Sequence, residues 1–357
     1  MDRAMTALPG LPATMRALRL LAWGAPPELV EVPVPEPRGT EVLLRVDAAG
    51  LCHSDLHIMD APAGSLPYEL PFTLGHEVVG TVVATGADVE PGWLGRRTAV
   101  HGVWSCGQCR QCHRGRENYC HALTGPIGGG IGRDGGLADY MLVPAPGHLV
   151  PAEGIDPLAV APLTDAGLTA HHAIDTYREL LPGATVVVIG VGGLGHLALQ
   201  LLAGHDPACV VAVEPRTAGR QLAMKLGADA VVPAVADASA WLDGCGGGHG
   251  ADVVLDFVGT QETLAAASTL LAPGGRLVLV GSAGGRLEVG KTAGLERGWG
   301  VSAPFWGTHR DLAAVVRLAE AGRIRAEVET YRLGEAIAAY ECLRAGRVHG
   351  RAVVVPR

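Results

Sequence analysis

Apolar positions along the chain fall into two regimes. Between about Met15 and Pro162 they come in short β-branched runs, TEVLLRVDAAG, HEVVGTVVATG, RTAVHGVW and ADYMLVP, bounded by Gly, Pro or other turn residues. Runs of that length with that punctuation predict strands, and so a mostly β segment. From about Leu163 to Ser302 apolar strands alternate with helix-period stretches. TVVVIG precedes GLGHLALQLLAG, CVVAVE precedes RTAGRQLAMKLGA, DVVLDFVG precedes ETLAAASTLL, and RLVLVG closes the series. This alternation predicts an α/β segment built on a doubly wound parallel sheet. The last stretch holds two amphipathic segments, DLAAVVRLAEAG and GEAIAAYECLRAG, before the strand RAVVVP. Periodicity leaves open whether it extends the second segment or returns to the first. The expected division is 1–162, 163–302 and 303–357.

A length of 357 residues agrees with two domains. With 48% hydrophobic and 18% charged residues the chain can build a large core. Its 28 Lys and Arg against 36 Asp and Glu leave a net charge of -8, which offers no basic field to a phosphate backbone and counts against a nucleic-acid partner. The opening MDRAMTALPGLPATMRALRL has no uninterrupted apolar core, so no secretory signal is read and a cytoplasmic protein is expected. Thr185–Gly204 is long enough to imitate a membrane span, but its glycines make strand, turn and helix the better reading, and no membrane partner is expected.

Chemistry enters with CGQCRQCHRGRENYC, where Cys106, Cys109, Cys112 and Cys120 place four of eight cysteines within fifteen positions. Clustered thiols in a reducing compartment point to metal rather than bridges, and four thiolates on one short loop complete a zinc tetrahedron. A site with no vacant position is structural. Free or bridged thiols are one alternative; a zinc knuckle for nucleic acid, suggested by Arg110, Arg114 and Arg116, is another.

GVGGLG, with Gly190, Gly192 and Gly195, fits G-x-G-x-x-G between a strand and a helix. Glycine lets the backbone approach a pyrophosphate, and the helix start supplies amide donors. Glu214, at the end of the next strand, is placed to accept from an adenine ribose and to repel a 2′-phosphate, so NAD is favoured over NADP; Arg216 softens that preference. A plain tight turn remains the alternative.

Cys52 in CHSDLH, His76 in GHE and Asp165 in PLTDAGLTAHH each have an ordinary explanation when taken singly: a small buried residue, a satisfied polar group, a helix cap. In combination with LGHE, the four-cysteine loop, GRENYC, GVGGLG and GRAVVVP, in this order, they make the chain from Met15 to Arg357 resemble the zinc-dependent medium-chain alcohol dehydrogenases, particularly the bacterial secondary-alcohol enzymes and carbonyl reductases. The resemblance implies a GroES-like catalytic domain to which the C-terminal stretch returns, a Rossmann cofactor domain, and a site in the cleft between them. It implies two zinc ions per chain, one structural on the four cysteines and one catalytic on Cys52, His76 and Asp165. Many relatives have cysteine at the Asp165 position; one thiolate plus one carboxylate preserves the charge balance.

By the same resemblance Glu77 is the acid beside the metal, Asp55 orients His76, and Ser54 and His57 relay the proton. His53, Thr169 and Arg351 are expected to touch NAD, as are Gly193 and Leu194 in the turn and Val280 at the end of RLVLVG; Phe305 and Trp306 shape a hydrophobic substrate pocket or, alternatively, pack in the core. The implied activity is hydride transfer between NAD(H) and alcohols, secondary and hydrophobic or aryl-alkyl, or the matching ketones and aldehydes. Primary alcohols, polyols and acyloins, or a non-catalytic nucleotide binder, are the rivals. A homo-oligomer, tetramer or dimer, is expected through the edge near Trp299–Ala303, and residues 1–14 read as an extension before the family's usual start. Arg96 stands where an acid is common, in a surface turn.

Overall fold

The computed structural model describes residues 10–242, 244, 248–290 and 297–357, so the first nine positions of the expected extension lie outside the described residues. Two compact units are present. One comprises Met1–Asp165, Thr308–Glu320 and Glu327–Arg357; the other comprises Ala166–Gly307 and Ala321–Ala326.

The first unit is organised on the strand Val42–Gly50. It pairs antiparallel with Glu77–Thr85, with Tyr140–Val143 near its start, and with Arg351–Val355 at its end, where Val353 faces Gly50. Neighbours on both edges and both faces explain why this strand reads as an almost unbroken apolar run and is buried nearly throughout. The main path runs Leu149–Pro151, Arg97–Val100, Glu77–Thr85, Val42–Gly50, Arg351–Val355, Val328–Arg332. A second sheet sets Thr14–Leu20 between Glu28–Pro33 and Phe72–Thr73. There the period-two pattern turns Met15 and Ala17 toward Leu43, Ala84, Ala138 and Tyr140.

The second unit carries one six-stranded sheet, parallel in every pairing, in the order Ala230–Val232, Cys209–Val213, Thr185–Ile189, Ala251–Asp256, Leu271–Leu279, Gly300–Ser302. Thr185–Ile189 lies inside the sheet and all five of its residues are buried, as its run of β-branched residues requires. Between it and Ala251–Asp256 the winding direction reverses, which is where such sheets open a crevice at their strand ends.

The edge strands Ala230–Val232 and Gly300–Ser302 are three residues each; the second lies where an edge near Trp299–Ala303 was expected, whereas Ala230–Val232 and the helix Val235–Leu242 were absent from the sequence-based expectation. Three residues carry no period, and an alanine-rich stretch such as AVVPAVADASAW fits strand and helix templates equally. The C-terminal stretch also differs from a single return over 303–357. Residues 303–307 and 321–326 go with the second unit. Gln200 holds the latter, donating to the Arg325 carbonyl at 3.0 Å and accepting from the Arg325 N–H at 2.9 Å. Among the described residues no helix is long and apolar enough to cross a membrane.

Leu277 is fully buried in the core of the second unit, among Val187, Val211 and Val254. Leu277→Ala should cost about 2–5 kcal/mol, as for other leucine truncations in closed cores. Calorimetry should show a lower melting temperature; an unchanged one would mean that this sheet face is not packed as described.

Candidate functional site

In the first unit the chain leaves the central strand at Gly50 and turns into the short helix His53–Met59. Cys52 precedes this helix in extended conformation, φ -124 and ψ 155. Its N–H donates to Asp55 Oδ2 at 3.0 Å, which closes the helix start. His76 sits immediately before the strand Glu77–Thr85. The preceding Gly75 is left-handed, with φ +92, and a Cβ there would come within 2.7 Å of Leu137 Cγ. His76 Nδ1 donates to Asp55 Oδ1 at 3.0 Å, which turns Nε2 toward Asp165 Oδ2 at 3.6 Å. Cys52 Sγ lies 3.4 Å from that same oxygen. One carboxylate, Asp55, therefore fixes both the cysteine backbone and the imidazole.

Ligand atoms of Cys52, His76, Glu77 and Asp165 all lie within 4.8 Å of one another. A thiolate and a carboxylate this close repel each other unless a cation neutralises them. Burial alone would lower the pKa of His76, yet Asp55, Asp165 and Cys52 raise it well above the ordinary value. Sulfur, nitrogen and oxygen donors with two negative charges fit zinc, and three firm ligands leave a fourth position for a reactant.

Glu77 lies beside this set, fully buried. Burial pushes its carboxyl up to about 8, with Arg351 pulling in the opposite direction. One of its oxygens accepts from Arg351 Nη2, while Oε2 has no hydrogen-bond partner. Arg351 also donates to the Leu51 carbonyl at 3.0 Å. Its guanidinium is thus committed within the buried layer behind the donor set. Ser54, His53 and His57 are exposed on the helix, with Ser54 Oγ 3.6 Å from Cys52 Sγ.

Tyr340, on the helix Ala336–Arg344, was not foreseen. It is buried, and its hydroxyl is raised well above the ordinary pKa by burial and then by Asp55. Sequence could not flag it, because Asp55 and Tyr340 meet only through the return of the C-terminal segment.

The four-cysteine loop also lies in the first unit. Sγ separations are 3.5 Å for Cys109 and Cys112, 3.9 Å for Cys109 and Cys120, and 3.5 Å for Cys106 and Cys120. Zinc–sulfur bonds of about 2.3 Å in a tetrahedron require edges of about 3.8 Å, so the loop fits a closed thiolate site. Backbone amides aim at the sulfurs: Cys106 N–H at Cys120, Gln108 N–H at Cys106 and His121 N–H at Cys109. Amides of Cys112 and His121 pull the Cys109 thiol down to about 6. Glu117 pins the loop to the helix His309–Glu320 by accepting from the His309 N–H at 2.6 Å.

In the second unit the turn Gly190–Gly195 joins the central strand to the helix Gly195–Leu202. Gly190 is left-handed at φ +86, and a Cβ on Gly195 would lie 1.8 Å from the Gly190 carbonyl oxygen. Over Gly192 a Cβ would meet only Arg216 Nη2, at 3.8 Å, so backbone there is open to a close-lying ligand. Leu194 precedes the helix, and Val280 follows the Leu271–Leu279 strand, its N–H donating to the Asp256 carbonyl at 2.9 Å. Glu214 is 2% exposed and accepts the Val191 N–H at 2.9 Å. Burial would raise its pKa, but Arg216 and the Val191 amide hold it below the usual carboxylate range. Thr169 is buried in the helix Ala166–Asp175. Phe305 is 40% exposed and meets the buried Trp306 edge to face at 6.0 Å, with Trp306 at φ 50.

Fold and donor sets together define a metal-binding, nucleotide-binding protein of two units. Comparison with known proteins gives the family. Residues 38–154 match the alcohol dehydrogenase GroES-like domain and residues 193–321 match the zinc-binding dehydrogenase domain. A NAD-dependent alcohol dehydrogenase of Sulfurisphaera tokodaii is 34% identical over 96% of this chain and 100% of its own. A D-arabinose 1-dehydrogenase (NADP(+)) of Saccharolobus solfataricus is 34% identical over 96% of this chain and 97% of its own. The solved acetophenone reductase from Geotrichum candidum, in complex with NAD, superposes with a TM-score of 0.85 at 32% identity, covering 97% of this chain and 98% of that one. The chain belongs to the zinc-dependent alcohol dehydrogenase family.

Cys112→Ser removes one corner of the four-sulfur set. Metal analysis should find about one zinc fewer per chain, together with a lower melting temperature. Normal zinc content and normal melting would rule out a structural ion on this loop.

Proposed function

We propose that the chain is an NAD-dependent zinc alcohol dehydrogenase or carbonyl reductase, interconverting alcohols, by preference secondary and hydrophobic or aryl-alkyl, with ketones or aldehydes. The observation that carries this reading is the convergence of Cys52, His76 and Asp165, with Glu77 beside them, in a chain of this family. NAD-dependent relatives and an acetophenone reductase support the cofactor and the ketone. The D-arabinose relative favours, as a second reading, the same chemistry on a polyol.

When bound, zinc supplies a Lewis acid to the substrate oxygen and nicotinamide supplies or accepts hydride. The chain's own residues do the rest. Cys52, His76 and Asp165 would hold the metal, and Asp55 fixes the His76 tautomer by accepting a 3.0 Å hydrogen bond from its Nδ1–H. Ser54 and His57, both exposed on the helix His53–Met59, carry the substrate proton toward water. Glu77 remains a spare carboxylate behind the ligands. Gly190–Gly195 with Leu194, Val280 and Thr169 receive NAD, Glu214 takes the adenine ribose, and His53 and Arg351 serve the pyrophosphate. Phe305 and Trp306 select an apolar substrate flank.

The reading of the first unit as a GroES-like catalytic domain, to which the C-terminal stretch returns apart from residues 303–307 and 321–326, and of the second as a Rossmann domain belongs to the same proposal. So does a cytoplasmic homo-oligomer, tetramer or dimer. The edge strand Gly300–Ser302, with Val301 37% exposed, is the surface for it.

Asp165→Ala tests the ligand assignment. Turnover of an aryl-alkyl ketone with NADH should fall by more than about 100-fold, beyond the cost of losing an outer-shell partner. Zinc should fall from about two to about one per chain, with circular dichroism unchanged. A variant that keeps both metal and turnover would defeat the assignment.

A further inference from the structure

The glycine turn is not equally firm along its length. At one end the Gly190 N–H donates to the Val213 carbonyl at 2.8 Å and the Val191 N–H donates to Glu214 Oε2 at 2.9 Å. At the other end Gly195 packs so closely on the Gly190 carbonyl that no Cβ would fit between them. The peptide joining Gly192 to Gly193 lies between these anchors. Turning it over changes chiefly the ψ of Gly192 and the φ of Gly193, and glycine on both sides leaves either orientation sterically open. The surroundings leave room as well, since a Cβ on Gly192 would meet only Arg216 Nη2, at 3.8 Å.

His196 settles the orientation. It stands in the first turn of the helix Gly195–Leu202 and is fully buried. Its N–H donates to the Gly192 carbonyl at 3.2 Å, and its Nδ1 reaches the same oxygen at 2.8 Å. A carbonyl can only accept, so Nδ1 carries the proton. Two donors from one residue hold this carbonyl along the helix. Across a planar trans peptide the Gly193 N–H must then point the opposite way, out past the helix start, where amides of this kind bind anions. Reversal would turn a carbonyl oxygen toward the anion and leave a buried imidazole donor without its acceptor.

We propose that His196 is a positioning residue for the cofactor: its imidazole, by holding the Gly192 carbonyl, keeps the Gly193 N–H aimed at the pyrophosphate of NAD. It acts through the peptide and not by touching the nucleotide. The proposal rests on the reading of Gly190–Gly195 as the dinucleotide turn and deepens it. The effect belongs to the diphosphate, so adenosine, which has none, is indifferent to the orientation of this peptide. Asparagine is the conservative replacement, because its amide nitrogen stands as many bonds from Cβ as Nδ1 does. Leucine and phenylalanine fill the space without a donor.

Isothermal titration of the full chain with ADP-ribose, and displacement of ADP-ribose by adenosine, test this without turnover. His196→Leu and His196→Phe should each weaken ADP-ribose by at least about tenfold, the cost of one misdirected bond to a charged group, and leave adenosine within about twofold of the wild type. His196→Asn should bring ADP-ribose back to within about threefold of the wild type. Equal weakening of both ligands, no weakening of ADP-ribose, or an asparagine variant as poor as the leucine variant would overturn the proposal. So would loss of the folded circular dichroism spectrum in both donor-less variants, since His196 would then serve the fold and not the turn. Failure of the wild type to bind ADP-ribose at all would instead overturn the dinucleotide reading itself.

Discussion

A thiol, an imidazole and a carboxylate converge on one small volume that a cation would fill. Cys52 Sγ and Asp165 Oδ2 lie 3.4 Å apart, with His76 Nε2 3.6 Å from the same oxygen and the buried Glu77 carboxyl alongside. Removing such groups from water is costly unless opposite charge compensates them. A divalent cation would balance one thiolate and one carboxylate, and the local structure brings these donors together. Asp55 anchors Cys52 and His76 with its two oxygens, Gly75 allows the turn that delivers His76, and the short turn Ala161–Thr164 delivers Asp165.

Legibility in the sequence followed the distance over which each feature is built. The four-cysteine loop and the glycine turn are local, and their spacing alone carries the chemistry. The long strands of both units were readable because runs such as VLLRV and TVVVI are longer than the ambiguity of a period. The three-residue edge strand Ala230–Val232 was not. Cys52, His76 and Asp165 come from distant segments with no chelating pattern, and only resemblance joined them; the structure then places their donor atoms together. The partners of Arg351 and Tyr340 were invisible for a topological reason. Arg351–Val355 pairs with Val42–Gly50, and the helix carrying Tyr340 comes with it. The pairing of Glu214 with Arg216 was also beyond reach, since two residues' separation does not reveal that a side chain has folded back.

Carboxylates in this protein are stabilised by rules that differ with exposure, and the difference sorts their roles. Glu77 is paired with Arg351, and the two side chains are 0% and 4% exposed. Glu214 is paired with Arg216, whose side chain is 46% exposed. Removing one member of a buried pair leaves a desolvated charge and is strongly destabilising, whereas a half-exposed partner finds water when it leaves. The Glu77 pair is therefore a fixed part of the wall behind the donor set, and the Glu214 pair is displaceable.

That contrast bears on what Arg351 can do for a nucleotide. Its Nη2 already serves Glu77 and the Leu51 carbonyl, while its buried Nε has no hydrogen-bond partner. A guanidinium has five N–H donors in a rigid fork, so the ion pair leaves capacity unused. Any contact to an anionic ligand must come from those remaining donors with the Glu77 pair intact, because breaking it would strand Glu77 in the interior. Arg351 thereby ties the C-terminal strand, the buried acid and the end of the central strand into one wall behind the candidate donor set of Cys52 and His76.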